Sequence, residues 1–424
     1  MEFNLLPALQ SGFRACHSTE TAVLKVLSDI LTAVDQGNFS ALVLLDISAA
    51  FDTVDHYILL QRLEQTFGIT GSVLQWFHSY LQDRCQFVRC GVEESSRMTL
   101  ECGVPQGSVL GPLLFIIYTA DLCQVIQQHG FRPHLYADDT QIYGSCDPND
   151  VDSFSRRLAK CIDVVFDWMK SNRLLPNPDK TELLWNTTRR RQHLLPTDDL
   201  QLSGVSVTPS RAVRNLGIFM DSALTMQEHV TRTVSRCFGA LRQLRSIRQL
   251  VPSSVFQSLV TALVMSRLDY GNVALSGLTS DNIQRLQSVQ NAAARLIFGL
   301  RRSDHVTSAL LELHWLKVPQ RINHKLLTLT YRALNGLSPS YLNVFARCSS
   351  HQGRLSLRSS SAERLLVPSY KLVSAGSRTF SVSGAMLWNS LPHDIATAPS
   401  LTVFRKRLKT FLFQKSFPDY MISV

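Results

Sequence analysis

The stretch His134-Leu-Tyr-Ala-Asp-Asp-Thr-Gln-Ile-Tyr143 sets two adjacent carboxylates, Asp138 and Asp139, in the middle of an otherwise apolar run. The segments on either side, residues 134–137 and 140–143, have the composition of short strands. Two such segments that meet at a polar pair are typical of a tight hairpin. The stretch therefore predicts a β-hairpin with both acids at its tip.

A third carboxylate stands at the end of an earlier strand. Residues 41–45 form a continuous apolar run, typical of a strand covered on both faces, and the run stops at Asp46. A carboxylate in such a setting must be paired, hydrogen-bonded or bound to a metal, and no lysine or arginine lies within a few residues of either acidic site. This combination favours metal ligation.

Carboxylates from two strands can hold two divalent cations about 3.5–4 Å apart, an arrangement used in in-line phosphoryl transfer. Mg²⁺ fits this role, because it takes one or two protein carboxylates and completes its shell with water and substrate phosphates. For Asp138 and Asp139 alone, a polar hairpin turn is an equally good explanation.

Composition narrows the class of protein. At 424 residues the chain is longer than a single hydrophobic core usually supports. A composition of 45% hydrophobic and 18% charged residues predicts a soluble globular protein. The longest apolar runs, such as 108–120, are shorter than the roughly 20 residues of a membrane span, and the N-terminus lacks a secretory pattern. We therefore expect an intracellular protein, in nucleus or cytoplasm, without a membrane partner.

Neither the cysteines nor the net charge identifies a ligand. The nine cysteines lack the spacing of a structural zinc site. The net charge of +10 favours a polyanionic partner without specifying one.

The pattern of elements changes along the chain. Up to residue 221 the periodicity predicts mixed helices and strands, whereas 227–335 is nearly all helical. The last section is rich in Ser and Arg before Trp388 and ends in a basic amphipathic helix at 404–413. For that helix, ordinary docking onto the fold is favoured over a membrane or RNA role. The first helix after residue 221 is basic and carries Arg232, Arg236, Arg242, Arg245 and Arg248.

Several motifs follow one another in a fixed order. They are Asp46-Ile-Ser-Ala-Ala-Phe-Asp-Thr-Val-Asp-His56, Gly103-Val-Pro-Gln-Gly-Ser-Val-Leu-Gly-Pro112, Tyr136-Ala-Asp-Asp139 and Pro178-Asp-Lys-Thr-Glu182. Together they resemble the reverse transcriptase of non-LTR (LINE-type, jockey-like) retrotransposons. The resemblance runs from Gln10-Ser-Gly-Phe-Arg14 to Leu216-Gly-Ile218, and more weakly through Leu387-Trp-Asn-Ser-Leu-Pro392.

This resemblance implies an α+β fold with the palm of a right-hand polymerase. Residues 1–221 would be the reverse transcriptase domain, with partial fingers and palm. Residues 222–335 would be a helical, thumb-like region, and 336–424 a basic C-terminal region. The arginines after residue 221 would then contact nucleic-acid phosphates.

The resemblance also implies roles for four residues in catalysis. Asp46, Asp138 and Asp139 match the metal-binding aspartates, which would hold two Mg²⁺ ions, with Mn²⁺ as the alternative ion. Lys180 matches a lysine proposed as the general acid for pyrophosphate departure, although an exposed turn lysine explains it equally simply.

Four further residues would bind the incoming nucleotide. Phe51 matches the aromatic ring that excludes a ribose 2′-hydroxyl, although a Phe after a strand usually belongs to the core. Gln106 and Gly107 match the loop that shapes the nucleotide pocket, although Pro-Gln-Gly alone would be only a turn. Arg14, in the first matching segment, completes the set.

The expected function is an RNA-directed DNA polymerase, a nucleotidyltransferase that uses an RNA template, a DNA primer and dNTPs. The sequence lacks the upstream fingers strands, endonuclease and Cys/His knuckle of the family. The alternative is therefore a catalytically inactive, fingers-deleted remnant that at most binds nucleic acid. A viral RNA-directed RNA polymerase is a third interpretation, against which Phe51 and Tyr136-Ala-Asp-Asp139 argue.

Overall fold

The structure is a computed structural model that describes residues 5–202, 204–348 and 364–419. Residues 349–363, part of the predicted Ser- and Arg-rich section, therefore lie outside the described residues. By its contacts the chain divides into two units. The first unit comprises Met1–Ala22, Asn38–Trp185 and Leu194–Ser210, and the second comprises Val23–Gly37, Asn186–His193 and Arg211–Val424. The predicted domain boundaries at 221 and 335 remain predictions.

Helices and strands are mixed along the chain up to residue 207, which confirms the predicted α+β class. In chain order the elements are α1 (Thr19–Asp35), β1 (Phe39–Ser48), α2 (His56–Gln65), α3 (Gly71–Leu81), β2 (Cys85–Gln86), β3 (Arg89–Cys90), β4 (Glu93–Glu94), β5 (Met98–Thr99), α4 (Leu110–Tyr118), α5 (Leu122–Gln128), β6 (Arg132–Tyr136), β7 (Asp139–Cys146), α6 (Val151–Ser171), β8 (Leu175–Asn186), β9 (Leu200–Leu202) and β10 (Val205–Val207).

After one more hairpin, the described chain is mainly helical, as the periodicity predicts. These elements are β11 (Ala212–Asn215), β12 (Ile218–Asp221), α7 (Gln227–Ile247), α8 (Ser253–Val260), α9 (Ser266–Asp269), α10 (Ser280–Phe298), α11 (Thr307–Glu312), α12 (Val318–Leu334), α13 (Phe380–Asn389), α14 (His393–Ala396) and α15 (Leu401–Ser416).

A four-stranded sheet in the order β6-β7-β1-β8 organises the first unit. The central strand β1 is buried on both faces over its first half, as its unbroken apolar run predicts, and then alternates. Leu45 and Ile47 belong to the core of the unit, whereas Asp46 between them is only partly buried. Because side chains alternate across a strand, Asp46 lies on the face away from that core.

The core of the first unit joins this sheet to its helices. Helix α6 buries an apolar stripe that includes Phe154, Leu158, Ile162 and Val165, the spacing of one helix face. Burying a side chain of this size stabilises the fold by about 1.5–3 kcal/mol. The sheet is therefore a firm support for the residues at its ends.

One stretch of the first unit, Leu110–Gln128, is 19 residues long and apolar enough to span a bilayer by length and composition alone. Half of it is buried, and a turn divides it into α4 and α5. Core helices of water-soluble proteins pass the same test, so the stretch is weak support for a membrane segment.

Aromatic stacking holds α15 of the second unit against α12 and α13. Phe404 of α15 stacks on Tyr331 of α12, with ring centroids 4.4 Å apart, and on Trp388 of α13 at 5.8 Å. Asn389 then accepts a hydrogen bond from the amide of Leu365 and donates one to its carbonyl, at 2.8 and 2.9 Å. The Trp-Asn pair of the C-terminal motif thus holds the fold together, and α15 docks as an ordinary terminal helix.

Candidate functional site

The two adjacent aspartates lie on a tight hairpin, which confirms that prediction. Strands β6 and β7 pair antiparallel down to Tyr136 opposite Asp139, so only Ala137 and Asp138 form the turn. Ala137 has φ of 56°, and a positive φ at the first central residue suits the right-handed twist of a two-residue hairpin. Asp138 therefore stands at the tip, and Asp139 is the first residue of β7.

The sheet register brings Asp46 to the same place. Strand β1 pairs antiparallel with β7, and the pairing reaches Leu45 opposite Thr140. One step further along this register, Asp46 comes beside Asp139. The structure thus gathers the three predicted aspartates from two neighbouring strands, 92 residues apart in the chain when counted from Asp46 to Asp138.

Burial and clustered charge together perturb the pKa of one member of this trio. Partial burial, followed by the negative charges of Asp138 and Asp46, raises the pKa of Asp139 to about 6. Its side chain still reaches solvent, so a cation or a proton could approach it. A carboxyl whose pKa is raised by other carboxylates gains from any cation that neutralises the group.

A hard divalent cation fits the donor set. The three side chains offer only carboxylate oxygens, and Mg²⁺ needs just one or two of them when water and phosphates complete its shell. Across residues 5–202, 204–348 and 364–419, no group of three or more His, Cys, Asp or Glu side chains is close enough to form a metal cage by itself. Substrate oxygens would therefore have to complete the shell of any ion bound here.

Lys180 places a positive charge beside Asp46, a contact that the local sequence around Asp46 does not predict. Its Nζ lies 3.1 Å from Oδ2 of Asp46, although the two residues are far apart in the chain. Asn177 donates from Nδ2 to the same oxygen at 3.3 Å. Both partners lie on β8, the strand next to β1 in the sheet order. The chain thus supplies a basic partner for Asp46 from a distant segment, although none lies within a few residues of it in the sequence.

Phe51 lies in the segment that follows β1. Its ring stacks on Phe115 of α4 with centroids 4.8 Å apart, and Phe13 meets it edge-on at 6.3 Å. The ring packs against the core of the unit while remaining partly accessible. Packing and a role at the site are thus compatible for this residue.

The loop that carries Gln106 and Gly107 joins the same segment. The amide of Val104 donates to the carbonyl of Phe51 at 2.8 Å, and Gln106 donates from Nε2 to both carboxylate oxygens of Asp52 at 3.2 Å. Gly107 has φ of 80°, which favours glycine. The structure therefore joins the predicted nucleotide-pocket loop to the Phe51 segment, with Asp52 as an orienting residue that the motif analysis left without a role.

Arg14 has a different environment from the other predicted residues. Its Nη1 donates to the carbonyls of Pro7 and Gln10 at 2.6 and 3.0 Å, so the guanidinium braces its own segment. A contact between Arg14 and a nucleotide remains a prediction.

The second unit holds arginines around two cavities. One cavity of about 520 Å³ is lined by Arg214, Arg236 and Arg267. The other, of about 910 Å³, lies between α7 and α10 and is lined by four arginines. Two of these four stabilise the fold by donating to carbonyls, and two are exposed: Arg248 and Arg295 form the first pair, Arg245 and Arg302 the second.

Comparison with known proteins identifies the family. Residues 1–219 match the family described as reverse transcriptase (RNA-dependent DNA polymerase). Because the match covers more than half of the chain, the chain belongs to this family. The predicted relation to non-LTR retrotransposon reverse transcriptases is likewise confirmed by the relatives it matches.

Two of these relatives come from Drosophila melanogaster. The probable RNA-directed DNA polymerase from transposon BS is 32% identical over 310 residues, which cover 70% of this chain and 33% of the relative. The corresponding protein from transposon X-element is 31% identical over 306 residues, covering 70% and 32%. The chain thus spans about a third of the length of these two curated relatives.

Solved structures offer only distant similarities. Telomerase from Candida albicans, in complex with a fragment of telomeric RNA, matches at 15% identity with a TM-score of 0.33, covering 75% of this chain and 53% of that chain. Apo telomerase from Candida tropicalis matches at 10% identity with a TM-score of 0.37, covering 72% and 54%.

Proposed function

We propose that this chain is the RNA-directed DNA polymerase portion of a non-LTR retrotransposon, which extends a DNA primer with dNTPs on an RNA template. The observation that carries the proposal is the gathering of Asp46, Asp138 and Asp139 at one end of the sheet, where partial burial and then repulsion by the other two carboxylates raise the pKa of Asp139 to about 6. A cluster of this kind favours bound cations and, through them, phosphate oxygens.

The three aspartates would hold two Mg²⁺ ions, which when bound supply charge neutralisation for the attacking and leaving oxygens of phosphoryl transfer. Lys180, beside Asp46, would donate a proton to the departing pyrophosphate. Its position on β8, within 3.1 Å of an aspartate oxygen, gives it access to this part of the site.

The neighbouring loops would select and orient the nucleotide. Phe51 would exclude a ribose 2′-hydroxyl, and its stacking on Phe115 would keep the ring from moving aside. Gln106 would contact the incoming nucleotide, with Asp52 fixing the orientation of its amide. Exposed arginines of the second unit, such as Arg245 and Arg302, would bind the phosphates of the template–primer duplex without reading its sequence.

The test is primer extension on poly(rA)/oligo(dT) with Mg²⁺ and dTTP. We expect incorporation by the natural chain and none above background by the Asp138→Asn, Asp139→Asn double variant. Asp167→Asn, an exposed carboxylate on α6, is the matched control and should retain full activity. Extension that survives the double substitution would refute the assigned roles.

Two added measurements separate the alternatives. Faster incorporation of UTP than of dTTP would point to an RNA polymerase instead. Salt-dependent binding of the RNA/DNA duplex without incorporation at any Mg²⁺ concentration would identify a catalytically inactive remnant.

A further inference from the structure

A short N-terminal segment runs beside the hairpin that carries two of the aspartates. The amide of Ser11 donates to the carbonyl of Leu135 at 2.8 Å, and the amide of Leu135 donates to the carbonyl of Leu9 at 2.9 Å. The Oγ of Ser11 also lies 3.0 Å from Nε2 of His134. The segment therefore extends the sheet at the outer edge of β6, one strand away from β7.

The side chain of Gln10 reaches the turn of this hairpin. Its Oε1 accepts hydrogen bonds from the amide of Gly12 at 2.8 Å and from the amide of Ala137 at 3.2 Å. Both partners are donors, so the oxygen of the Gln10 amide must face them. Ala137 is the turn residue with positive φ, and Gln10 therefore ties down the backbone immediately before Asp138.

The nitrogen of the same side-chain amide destabilises the fold. Gln10 is 1% exposed, and its Nε2 is buried without a hydrogen-bond partner within the described parts of the chain. An unpaired buried donor costs about 1–3 kcal/mol. An apolar side chain of similar length would avoid this penalty but would leave the amides of Gly12 and Ala137 without their acceptor, so the two hydrogen bonds to Oε1 offset the cost.

Gly12 provides the space for this contact. A Cβ added to Gly12 would lie 2.2 Å from the nitrogen and 2.8 Å from the Cα of Ala137, both backbone atoms. The next residue, Phe13, meets the ring of Phe51 edge-on. One segment thus contacts both the turn that carries Asp138 and the ring predicted to select the sugar.

We propose that Gln10 and Gly12 are positioning residues, which fix the turn of the hairpin so that Asp138 and Asp139 keep a set place relative to Asp46. Both residues are buried. The inference rests on the proposed polymerase function for its kinetic consequence, because a shift of about 1 Å in a catalytic group can reduce a rate about 100-fold. The structural part, that Gln10 restrains the turn, does not depend on activity.

Hydrogen exchange in the whole chain tests the structural part. In Gln10→Met, which keeps side-chain length and removes the acceptor, we expect amide exchange in residues 134–140 to rise about tenfold. Exchange in α6 should remain unchanged. Gln65→Met, an exposed glutamine at the end of α2, is the matched control and should alter neither region. Unchanged exchange at 134–140 in Gln10→Met would overturn the inference.

Primer-extension kinetics test its consequence. For Gln10→Met and for Gly12→Ala we expect kcat for dTTP incorporation to fall about 10- to 100-fold, with KM for dTTP and Kd for the template–primer duplex changed less than twofold. Equal losses in duplex binding and kcat would indicate general damage instead and would overturn the positioning role. Inactivity of the natural chain would refute the proposed function alone, since the exchange measurement would still decide whether Gln10 restrains the turn.

Discussion

The two units use charge in opposite ways. In the first unit three carboxylates share the end of one sheet, and partial burial together with two of them raises the pKa of the third. In the second unit arginines line cavities, and about half of those around the larger cavity donate to backbone carbonyls. Repulsive charge held on rigid strands indicates a site for chemistry, whereas exposed basic charge on helices indicates a surface for binding. Substitutions in the two units should therefore change different quantities.

The largest effect should come from substitution of Asp46, the one aspartate of the three that lies on β1. We expect Asp46→Asn to reduce the rate of single-nucleotide incorporation about 1000-fold. The substitution removes a negative charge that would help to hold the cations beside the reacting phosphate. Duplex affinity should change little. The measurement is rapid-quench incorporation with saturating duplex, beside the Asp167→Asn control. If Asp46→Asn weakened only duplex binding, the expected difference between the units, rate in the first and binding in the second, would be contradicted.

A smaller loss should follow from Lys180→Met. If Lys180 is a proton donor, the incorporation rate should fall about 100-fold, whereas the free energy of unfolding should fall by less than about 1 kcal/mol because the ion pair is exposed. Both quantities can be measured on one preparation, by single-turnover kinetics and urea denaturation.

The charge-conserving variant of the same residue separates two roles. A guanidinium does not give up its proton, so Lys180→Arg should remain as slow as Lys180→Met if proton donation matters. Recovery of the rate in Lys180→Arg would mean that only the positive charge beside Asp46 is needed. Lys170→Met, an exposed lysine on α6, should behave like the natural chain.

A tenfold effect is expected in the second unit. The double variant Arg245→Ala, Arg302→Ala should weaken template–primer binding about tenfold and make the dependence of log K on log salt shallower by about one per lost phosphate contact. The rate at saturating duplex should stay unchanged. Fluorescence anisotropy over a salt series checks this, with Arg156→Ala on the exposed side of α6 as control. An unchanged salt slope would contradict a phosphate role.

The smallest effect concerns pH and stability. Because the pKa of Asp139 is about 6 in the folded chain, above its ordinary value, the folded chain binds more protons than the unfolded chain between about pH 4 and 6. The free energy of unfolding should therefore fall as pH rises through this window. In Asp139→Asn that fall should shrink by on the order of 1 kcal/mol, allowing for solvent screening of a side chain that reaches the surface.

Urea denaturation at pH 4.5 and pH 7, in a chelator, measures this change. Asp167→Asn should keep the pH dependence of the natural chain. An identical dependence in Asp139→Asn would show that the carboxylates do not repel each other as their positions imply.

The hairpin and its aspartates could be predicted because the signal is local. Residues 134–137 and 140–143 have the composition of short strands, and two acids between them have few explanations. An apolar run that stops at a carboxylate likewise singled out Asp46, although β1 continues past it to Ser48 instead of ending there as predicted. Roles for Lys180 and Gln106 came only from the resemblance to a family, since neither stands out by composition.

The remaining contacts depend on distant parts of the chain. The pairing of Lys180 with Asp46 requires β8 to lie beside β1, and no local pattern specifies which strands become neighbours. The same holds for Asp52 and Gln106, which belong to separate loops. Likewise, the apolar spacing of α1 predicts a helix, yet only packing decides that residues 23–37 group with the C-terminal helices.

The stacking of α15 on α12 has a consequence for how the protein is made. Tyr331 leaves the ribosome roughly 70 residues before Phe404, its stacking partner, which corresponds to several seconds at roughly 5–20 residues per second. During that interval α15 does not yet cover the apolar face of α12. A premature stop codon just before residue 401 would make this state permanent, because α15 and its Phe404 ring would never be made.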